Sequence, residues 1–503
     1  MKTCILIPAA GKGKRFIREK YKTYKPFLKI HQKEMIRYVF DNFPGSMEKI
    51  IIVDKKIEKK YINILSKKKI KILKINFHNK GPAYSIFLAK KKLNLKQSFF
   101  VSYCDIVWNW NFLKIKKLIS KDVNIIFSYK GFHPYTIKDN RYAFCKSNNQ
   151  DKFISIREKT PYTKNWSNEN LSIGCFFFKN GHKMMGAISE MINKKQTITG
   201  EYYPSLIFNY LYKKKENVFI EPVNNFCHLG KPEYFEDFKK CFFFHQNKKK
   251  FISKINNKIS NYLIMPCAGK SSRFAKQKFN IPKPFIKVEN KLMYLRAIDF
   301  LPKSEKKIII LKSKDKKYVN NLKRNNLFMI TKQTNGQAVT CYNLTKSLNE
   351  NASVLIGACD TASIWNQKNL KKLINKNDIL VWTCKNNYIF DQEPYAHTWV
   401  KTKNNIIQRI YVKKKPKNEK NLEILIGIFY FSNIKFFNRA YKMMINKKNK
   451  TNNEYYIDNL ISECVLQGLC VKSFNVDYLI SWGTPLEFKI YNFWKDFFLK
   501  FNY

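Results

Sequence analysis

Several common features are missing from this sequence, and each absence argues against a class of protein. No CxxC pair occurs among the 12 cysteines and no histidine cluster stands at zinc-ligand spacing, so neither a redox motif nor a structural metal site is expected. No apolar run reaches the roughly 20 residues that cross a bilayer, and the apolar stretch at the N-terminus is too short for a signal peptide. We therefore expect buried, reduced thiols and a cytoplasmic protein that spans no membrane.

Acidic residues are also scarce, because 36 Asp and Glu face 95 Lys and Arg, which gives a net charge of +59. Such an excess is typical of proteins that bind nucleic acid, an anionic membrane surface or polyanionic substrates. Lys, Asn, Ile, Phe and Tyr are abundant together, however, as A/T-rich coding would produce in any protein. The lysines form short scattered runs and no dense basic arm, so nucleic-acid binding is the less favoured interpretation.

Length and composition indicate two globular domains. A chain of 503 residues with 45% hydrophobic and 16% aromatic residues suits two cores of about 200 to 250 residues each. Short β-branched or aromatic runs alternate with longer amphipathic, lysine-rich stretches. This alternation predicts an α/β fold with a mostly parallel central sheet, in which ligands bind at the carboxyl ends of the strands.

The two halves of the chain repeat seven landmarks in one order, at an offset that drifts only from 258 to 253 residues. The matched pairs are Arg15 and Arg273, Lys25-Pro26 and Lys283-Pro284, Gly81 and Gly336, Asp105 and Asp360, Gly174 and Gly427, Glu201 and Glu454, and Gly230 and Gly483. The repeat predicts a tandem duplication, with a first domain at 1–245, a linker at 246–258 and a second domain at 259–503.

A basic turn that contains glycine follows the first strand of each half, in LIPAAGKGKRF and IMPCAGKSSRF. Glycine allows successive backbone N–H groups to point at one anion. Lys14, Arg15 and Lys25, or Arg273 and Lys283 in the second half, supply charges that can hold a polyphosphate. The pattern is neither a P-loop nor a dinucleotide fingerprint. Taken alone, it is equally well interpreted as a tight turn with solvated lysines.

The ordered set of motifs resembles the sugar-nucleotide pyrophosphorylases, which are nucleotidyltransferases (NTP transferases). The set contains the turn with its arginine, a Lys-Pro pair, a glycine-alanine turn, a strand that ends in Asp, a Glu-Lys-Thr-Pro segment, a glycine before an aromatic strand and a closing Gly-x-Pro. The resemblance covers nearly the whole of both halves. It implies a Rossmann-like three-layer sandwich in each domain and transfer from a nucleoside triphosphate to a sugar 1-phosphate or similar phosphate ester, with Mg²⁺ or Mn²⁺ as cofactor. Pyrophosphate would leave, and the product would serve surface polysaccharide synthesis.

The resemblance also implies a role for each residue of the predicted site. The catalytic cations would be Arg15, Lys25, Arg273 and Lys283. The nucleotide would be bound by Ala10, Gly11, Lys12, Gly13 and Gly81, and in the second half by Ala268, Gly269, Lys270 and Gly336. The acceptor would be bound by Glu158, Lys159, Gly174, Lys414 and Gly427. Asp105 and Asp360 would hold the metal ion as hard oxygen ligands, the alternative being that each caps a helix.

Two departures from the family pattern affect these expectations. The usual second metal-binding Asp is replaced by His228 in the first half and by Ser481 in the second. The Glu158-Lys159 pair aligns with Lys413-Lys414, which exchanges a hydrogen-bond acceptor for a cation. The sequence therefore predicts that the first copy carries transfer to a neutral sugar phosphate, while the second still binds nucleotide.

Other function classes stay open at this level. A nucleotide-sugar-binding regulator and a glycosyltransferase of related fold are two of them, although a glycosyltransferase usually shows a D-x-D motif and neither CDIVW nor CDTAS contains one. A nucleic-acid binder that uses the positive charge is the third. The nucleotide base, the acceptor and the oligomeric state are not determined by these motifs.

Overall fold

The computed structural model of the chain describes residues 2–137, 139–148, 152–256, 258–319, 327–386 and 390–500. The chain divides into two compact units, one formed by Met1–Lys239 with Lys495–Tyr503 and the other by Lys240–Trp494. No helix within these described ranges is long and apolar enough to cross a membrane.

The first unit is an alternation of short strands and helices. Its strands are β1 (Thr3–Pro8), β2 (Lys29–Ile30), β3 (Lys33–Glu34), β4 (Glu48–Asp54), β5 (Lys71–Ile75), β6 (Ser98–Ser102), β7 (Ile106–Asn109), β8 (Asn124–Tyr129), β9 (Ala143–Ser147), β10 (Phe153–Glu158), β11 (Asn170–Phe178), β12 (Val218–Pro222) and β13 (Asn225–His228). Its helices are α1 (Lys14–Arg18), α2 (Met35–Phe40), α3 (Lys59–Ser66), α4 (Pro82–Leu88), α5 (Phe112–Ile119), α6 (Gly181–Asn193), α7 (Ile207–Lys213) and α8 (Pro232–Lys254).

The main sheet of the first unit has the order β10-β9-β11-β6-β1-β4-β5, and β8 joins β11 to β12. The strands β6, β1, β4 and β5 run parallel, whereas β11 is antiparallel to β6. Alternate residues of β1 enter two different cores: Leu6 packs with residues of α4, α6 and α7, and Ile5 packs with residues of α2, α3 and α5. The unit is therefore a three-layer α/β sandwich with a mixed sheet, which confirms the predicted fold class.

The second unit repeats this architecture strand for strand. Its strands are β14 (Lys258–Pro266), β15 (Lys287–Val288), β16 (Lys291–Leu292), β17 (Lys303–Lys312), β18 (Leu327–Thr331), β19 (Val354–Ile356), β20 (Thr361–Ile364), β21 (Ile379–Lys385), β22 (Thr398–Lys403), β23 (Ile406–Tyr411), β24 (Glu423–Phe431), β25 (Val471–Asn475) and β26 (Tyr478–Ser481). Its helices are α9 (Ser272–Lys276), α10 (Met293–Ile298), α11 (Gln337–Thr345), α12 (Gln367–Ile374), α13 (Ile434–Asn446), α14 (Ile457–Leu466) and α15 (Pro485–Lys500).

The order of elements supports the predicted duplication. The run β18-β17-β14-β19-β24 in the second sheet repeats β5-β4-β1-β6-β11 of the first, and a 3₁₀ helix at Ser313–Tyr318 stands where the first unit has α3. The linker predicted at 246–258 lies on the second half of α8, an irregular residue pair and the start of β14, and the division between the units falls inside α8. The exact domain bounds stay a prediction.

The cysteines behave as the sequence predicts. Every cysteine in the described ranges is buried except Cys470. Burial raises the pKa of the Cys4 and Cys104 thiols to about 12, because a thiolate is poorly solvated in an apolar interior. These side chains act as small core residues.

Two glycines of α6 make a matched test of packing in the first unit. A Cβ on Gly181 would lie 2.6 Å from Cε2 of Phe99 and 2.7 Å from the Leu95 carbonyl oxygen, whereas a Cβ on Gly186 would meet no atom within 4 Å. We expect Gly181→Ala to destabilise the unit by about 1–3 kcal/mol through overpacking. Gly186→Ala should stabilise it by up to about 1 kcal/mol through helix propensity. Urea unfolding midpoints measure both changes, and equal shifts would contradict the packing.

Candidate functional site

The basic turn after the first strand has the same conformation in both units. Gly13 precedes α1 with φ of 65°, and Ser271 precedes α9 with φ of 55°, so a residue in the left-handed region ends each turn. Lys25 packs beneath the first turn, since its Cβ would lie 3.1 Å from a Cβ on Gly13. In the second unit, the Lys283 backbone N–H donates to the Ser271 hydroxyl at 3.0 Å. Each turn is thereby attached to the lysine of the Lys-Pro pair.

That lysine pairs with the aspartate at the end of the central strand in each unit. Lys25 Nζ lies 2.5 Å from Asp105 Oδ2, and Lys283 Nζ lies 2.6 Å from Asp360 Oδ2. Burial alone would raise the pKa of Asp105 and Asp360, but the neighbouring lysine acts together with His228 in the first unit and with Lys413 and Arg273 in the second, and these groups hold both pKa values below the ordinary range. Both carboxylates are therefore ionised at neutral pH. In each unit the lysine thus meets the aspartate at the carboxyl end of a central strand, which is where ligands bind in such sheets.

The remaining residues of the turns surround the ion pairs. Ala10 and Ala268 are buried, while Gly11, Arg15 and Arg273 are exposed. Three further residues of the turns have close contacts: Lys12 Nζ lies 4.3 Å from the Phe77 ring centroid, Lys270 Nζ lies 3.6 Å from Glu454 Oε1, and the Gly269 carbonyl accepts a hydrogen bond from Lys312. Exposed cations beside backbone N–H groups form a surface suited to phosphate.

The closing Gly-x-Pro segment needs glycine because it passes against the aspartate. A Cβ on Gly230 would collide with Asp105 Oδ2 and lie 2.6 Å from Cε1 of His228. The imidazole Nε2 of His228 lies 3.4 Å from Asp105 Oδ2. His228 thus contacts the aspartate at the place where the resemblance expects a second carboxylate.

The second unit offers a carboxylate that the sequence analysis did not identify. Glu487 lies in the first turn of α15, and its Oε2 accepts a hydrogen bond from the Thr484 backbone N–H at 2.9 Å. A Cβ on Gly483 would lie 3.0 Å from Asp360 Oδ2 and 3.3 Å from Glu487 Oε2, so both carboxylates border one point. The TPLE capping box at 484–487 was the available signal, although a capping box by itself predicts only a helix start.

The donor sets decide how well each unit fits a divalent cation. Across the described ranges, no group of three or more His, Cys, Asp or Glu side chains is arranged to hold a metal ion. The second unit nevertheless provides Asp360 and Glu487, and the buried Oε1 of Glu487 lies 3.4 Å from Nε2 of His397. Two hard carboxylates suit Mg²⁺ better than the Asp105–His228 pair of the first unit. The fit is therefore better in the second unit.

A cavity of about 330 Å³ lies beside these groups in the second unit. Its wall combines the basic turn, Lys283, Asp360, Gly427 and Asp458. The half-buried side chain of His397 also borders it, and burial, followed by nearby Lys413, lowers the pKa of that imidazole to about 3. The cavity thus joins the predicted phosphate, metal and acceptor residues in one space.

The glycines predicted to lie against the nucleobase are explained by a backbone contact. A Cβ on Gly81 would lie 2.8 Å from the Tyr202 backbone nitrogen, and a Cβ on Gly336 would lie 2.5 Å from the Tyr455 nitrogen. Both glycines have positive φ, 85° and 131°. The structural need for glycine is therefore close chain packing, and contact with a base stays a prediction for both.

Glu158 and Lys159, which were predicted to bind the acceptor, lie at and directly after the end of β10 in the first unit. Glu158 is buried at the end of β10 and accepts a hydrogen bond from the Ser205 hydroxyl. Burial raises the pKa of Glu158 to about 7. Lys159 Nζ donates to the Tyr203 hydroxyl at 2.7 Å.

Strand register corrects the predicted match between Glu158-Lys159 and Lys413-Lys414. Lys159 and Lys413 are the two lysines with positive φ, 59° and 53°, that follow β10 and β23. Lys159 Nζ lies 4.8 Å from the Tyr203 ring centroid and Lys413 Nζ lies 5.6 Å from that of Tyr456. Lys413 is thus the counterpart of Lys159. Lys414 is exposed and absent from the cavity wall, because it lies one residue past the turn.

The space beside the acceptor glycine differs between the units. The Tyr103 ring lies directly against Gly174, since a Cβ there would be 3.0 Å from Cε2 of the ring and closer still to Cδ2. The Tyr103 hydroxyl is buried without a hydrogen-bond partner among the described residues. In the second unit, Ala358 faces Gly427. The room that the resemblance assigns to the acceptor is therefore taken by an aromatic ring in the first unit and free of one in the second.

Comparison with known families now adds an independent observation. Residues 5–114 match the family of MobA-like NTP transferase domains. The matched segment contains the basic turn, Lys25 and Asp105 of the first unit. This segment of the first unit is therefore similar to NTP transferase domains, as the sequence resemblance to nucleotidyltransferases predicts. No curated protein sequence matches the chain.

Solved structures of similar shape span one half of this chain. A nucleoside-diphosphate-sugar pyrophosphorylase from Vibrio cholerae is 21% identical with a TM-score of 0.40, covering 47% of this chain and 99% of its own. An inositol-1-phosphate CTP transferase from T. maritima is 15% identical with a TM-score of 0.38, covering 48% and 98%. The CTP:phosphocholine cytidylyltransferase of Streptococcus pneumoniae is 16% identical with a TM-score of 0.37, covering 48% and 100%.

The buried Glu158 should make stability depend on pH. Its folded pKa of about 7 exceeds the ordinary 4.5, so the folded state binds the proton more tightly than the unfolded chain. The stabilisation is complete below about pH 4.5 and is lost as pH rises towards 7. The Glu158→Gln variant has no carboxyl group to ionise. Its free energy of unfolding should therefore increase by about 3 kcal/mol relative to that of the wild type as pH rises from 4.5 to 7. Urea unfolding across this range measures the difference, and parallel pH curves for both proteins would contradict it.

Proposed function

We propose that this protein transfers a nucleotidyl group from a nucleoside triphosphate to a sugar 1-phosphate or a related phosphate ester and releases pyrophosphate. The observation that carries the proposal is the lysine–aspartate pair beneath a basic turn, built twice at the ends of central strands. The NTP transferase match over residues 5–114 supports it. The product would be an activated sugar or alcohol of the kind used in surface polysaccharide synthesis.

Different residues of the second unit would have different roles in this reaction. The turn with Arg273 would hold the triphosphate, and Lys283 would face the phosphates where charge develops during transfer. An acceptor phosphate oxygen would attack the α-phosphorus in line, the bond to the bridging oxygen would break, and pyrophosphate would leave. Asp360 and Glu487 would hold a divalent cation, which offsets the charge on the reacting phosphates when bound.

We assign transfer to the second unit, contrary to the expectation from sequence. That expectation depended on pairing Glu158-Lys159 with Lys413-Lys414, which the strand register corrects. The cavity beside Asp360 and Gly427 and the smaller Ala358 favour acceptor binding there. The first unit would bind nucleotide, with Tyr103 in place of the acceptor.

A substrate panel tests the activity and a matched lysine pair tests the assignment. Pyrophosphate release is measured with the four nucleoside triphosphates and common sugar 1-phosphates.

Lys283→Ala should lower kcat about 100-fold or more, because a cation that stabilises developing charge is lost. Lys25→Ala should weaken nucleotide binding by the first unit and lower kcat far less. If Lys25→Ala abolishes transfer and Lys283→Ala does not, the reaction belongs to the first unit. If no substrate pair in the panel releases pyrophosphate, the proposal is refuted.

Removal of divalent cations tests the metal assignment. Excess chelator should abolish transfer, and added Mg²⁺ or Mn²⁺ should restore it, because the phosphates then lose and regain their charge compensation. Glu487→Gln should raise the Mg²⁺ concentration needed for half-maximal rate, whereas His228→Gln in the first unit should not. Full turnover in chelator would rule out a role for the metal.

A further inference from the structure

We propose that Asp458, at the start of α14, is the acceptor-binding carboxylate of the second unit, and that it replaces the buried carboxylate that the first unit has at Glu158 on the end of β10. The ligand class is a phosphate ester that carries hydroxyl groups, such as a sugar phosphate. The inference rests on the proposed function, because it assigns a residue to the acceptor side of the same cavity.

Strand register gives the correspondence between the two units. Phe144 pairs with Leu171 and Arg157, while Trp399 pairs with Ile424 and Tyr411. Position 399 therefore matches 144 and position 411 matches 157. It follows that Thr398 stands at the position of Ala143, and Val412 at the position of Glu158. The second unit thus has an apolar residue where the first has the buried carboxylate of Glu158.

A second register locates Asp458. The bridge between Ile198 and Glu201 recurs between Thr451 and Glu454, which is an offset of 253 residues (451 − 198 and 454 − 201). The same offset places Asp458 at the position of Ser205. Ser205 is the residue whose hydroxyl donates to Glu158 in the first unit.

The carboxylate and its hydroxyl partner have therefore both moved. In the first unit, Glu158 accepts from Ser205; in the second, Asp458 Oδ2 accepts from the Thr398 hydroxyl at 2.5 Å. Glu158 and Asp458 are each 8% exposed. Each unit thus has one buried carboxylate with one hydroxyl donor. The carboxylate of the second unit stands at the position of the first unit's hydroxyl donor, and its own hydroxyl donor, Thr398, stands at the position of Ala143.

The surroundings of Asp458 are those of a binding group. Asp458 and Lys413 both line the cavity, together with Gly427 and Asp360. Lys413 Nζ donates to the Ala396 carbonyl at 2.7 Å, which holds the cation at the same wall. A carboxylate accepts hydrogen bonds from sugar hydroxyls while an ammonium group donates to phosphate, so the two charges suit the two ends of a sugar phosphate.

A charge-removing variant tests the inference with two readouts. Asp458→Asn keeps the shape and an oxygen that can accept from Thr398, but it lacks the negative charge. We expect the acceptor KM, or the dissociation constant of α-D-glucose 1-phosphate in calorimetry on the full chain, to rise about 10-fold or more, because charge-assisted hydrogen bonds are lost. The KM for nucleoside triphosphate and the thermal midpoint should stay within error. Glu463→Gln is the matched control, since Glu463 is buried on the same helix and pairs with Lys447 and Asn449.

A relocation variant separates binding from a structural role. Asp458→Ser should lose acceptor affinity, and the combined Asp458→Ser, Val412→Glu and Thr398→Ala variant should recover it, because it rebuilds the arrangement of Glu158, Ser205 and Ala143. A purely structural carboxylate predicts no such recovery of affinity once both variants are shown to be folded by their thermal midpoints.

The outcomes distinguish this inference from the proposed function. Unchanged acceptor KM and ester affinity in Asp458→Asn would overturn the inference while transfer persists. If no triphosphate and ester pair releases pyrophosphate but Asp458→Asn still weakens ester binding, the proposed function falls and the binding site stands. Absence of any ester binding by the wild type would overturn both.

Discussion

The partly buried ion pair between a lysine and the strand-end aspartate is the constraint on which both sites depend. Lys25 with Asp105 and Lys283 with Asp360 join the basic turn to the central strand, at 2.5 and 2.6 Å. A charge withdrawn from water is stable only with a close partner, so each pair fixes where its turn lies. The same charges then face any phosphate that the turn binds. Folding and the proposed chemistry thus use one interaction.

The duplication produced two sites with the same frame and different interiors. Tyr103 fills the space beside Gly174, whereas Ala358 leaves the space beside Gly427 to the cavity. The buried carboxylate and its hydroxyl donor also stand at different positions: they are Glu158 and Ser205 in the first unit, and Asp458 and Thr398 in the second. Because a site can lose its acceptor space without losing its phosphate turn, one unit of a duplicated chain can keep nucleotide binding while the other retains transfer.

Several parts of the site were predictable and others were not. The turns and both aspartates could be predicted from residue order because each directly follows a strand, and the lysines could be predicted because the Lys-Pro pair recurs at the same place in both halves. The match of Lys414 to Lys159 was wrong by one residue, since an ungapped pairing of two lysines ignores the strand register. Glu487 went unnoticed because a TPLE box predicts a helix cap and says nothing of what the glutamate faces.

The sequence by itself determined the class of fold, the duplication and the identity of the charged groups at the strand ends. Hydrophobic periodicity and glycine placement are local properties, and they act through neighbouring residues along the chain. The tertiary structure alone decided which side chains share a cavity, because that depends on register between distant strands and on side-chain volume. Val412 and Asp458 are 46 residues apart in the sequence. Only the paired strands show that Val412 stands at the position of Glu158, and only the bridge at Glu454 shows that Asp458 stands at the position of Ser205.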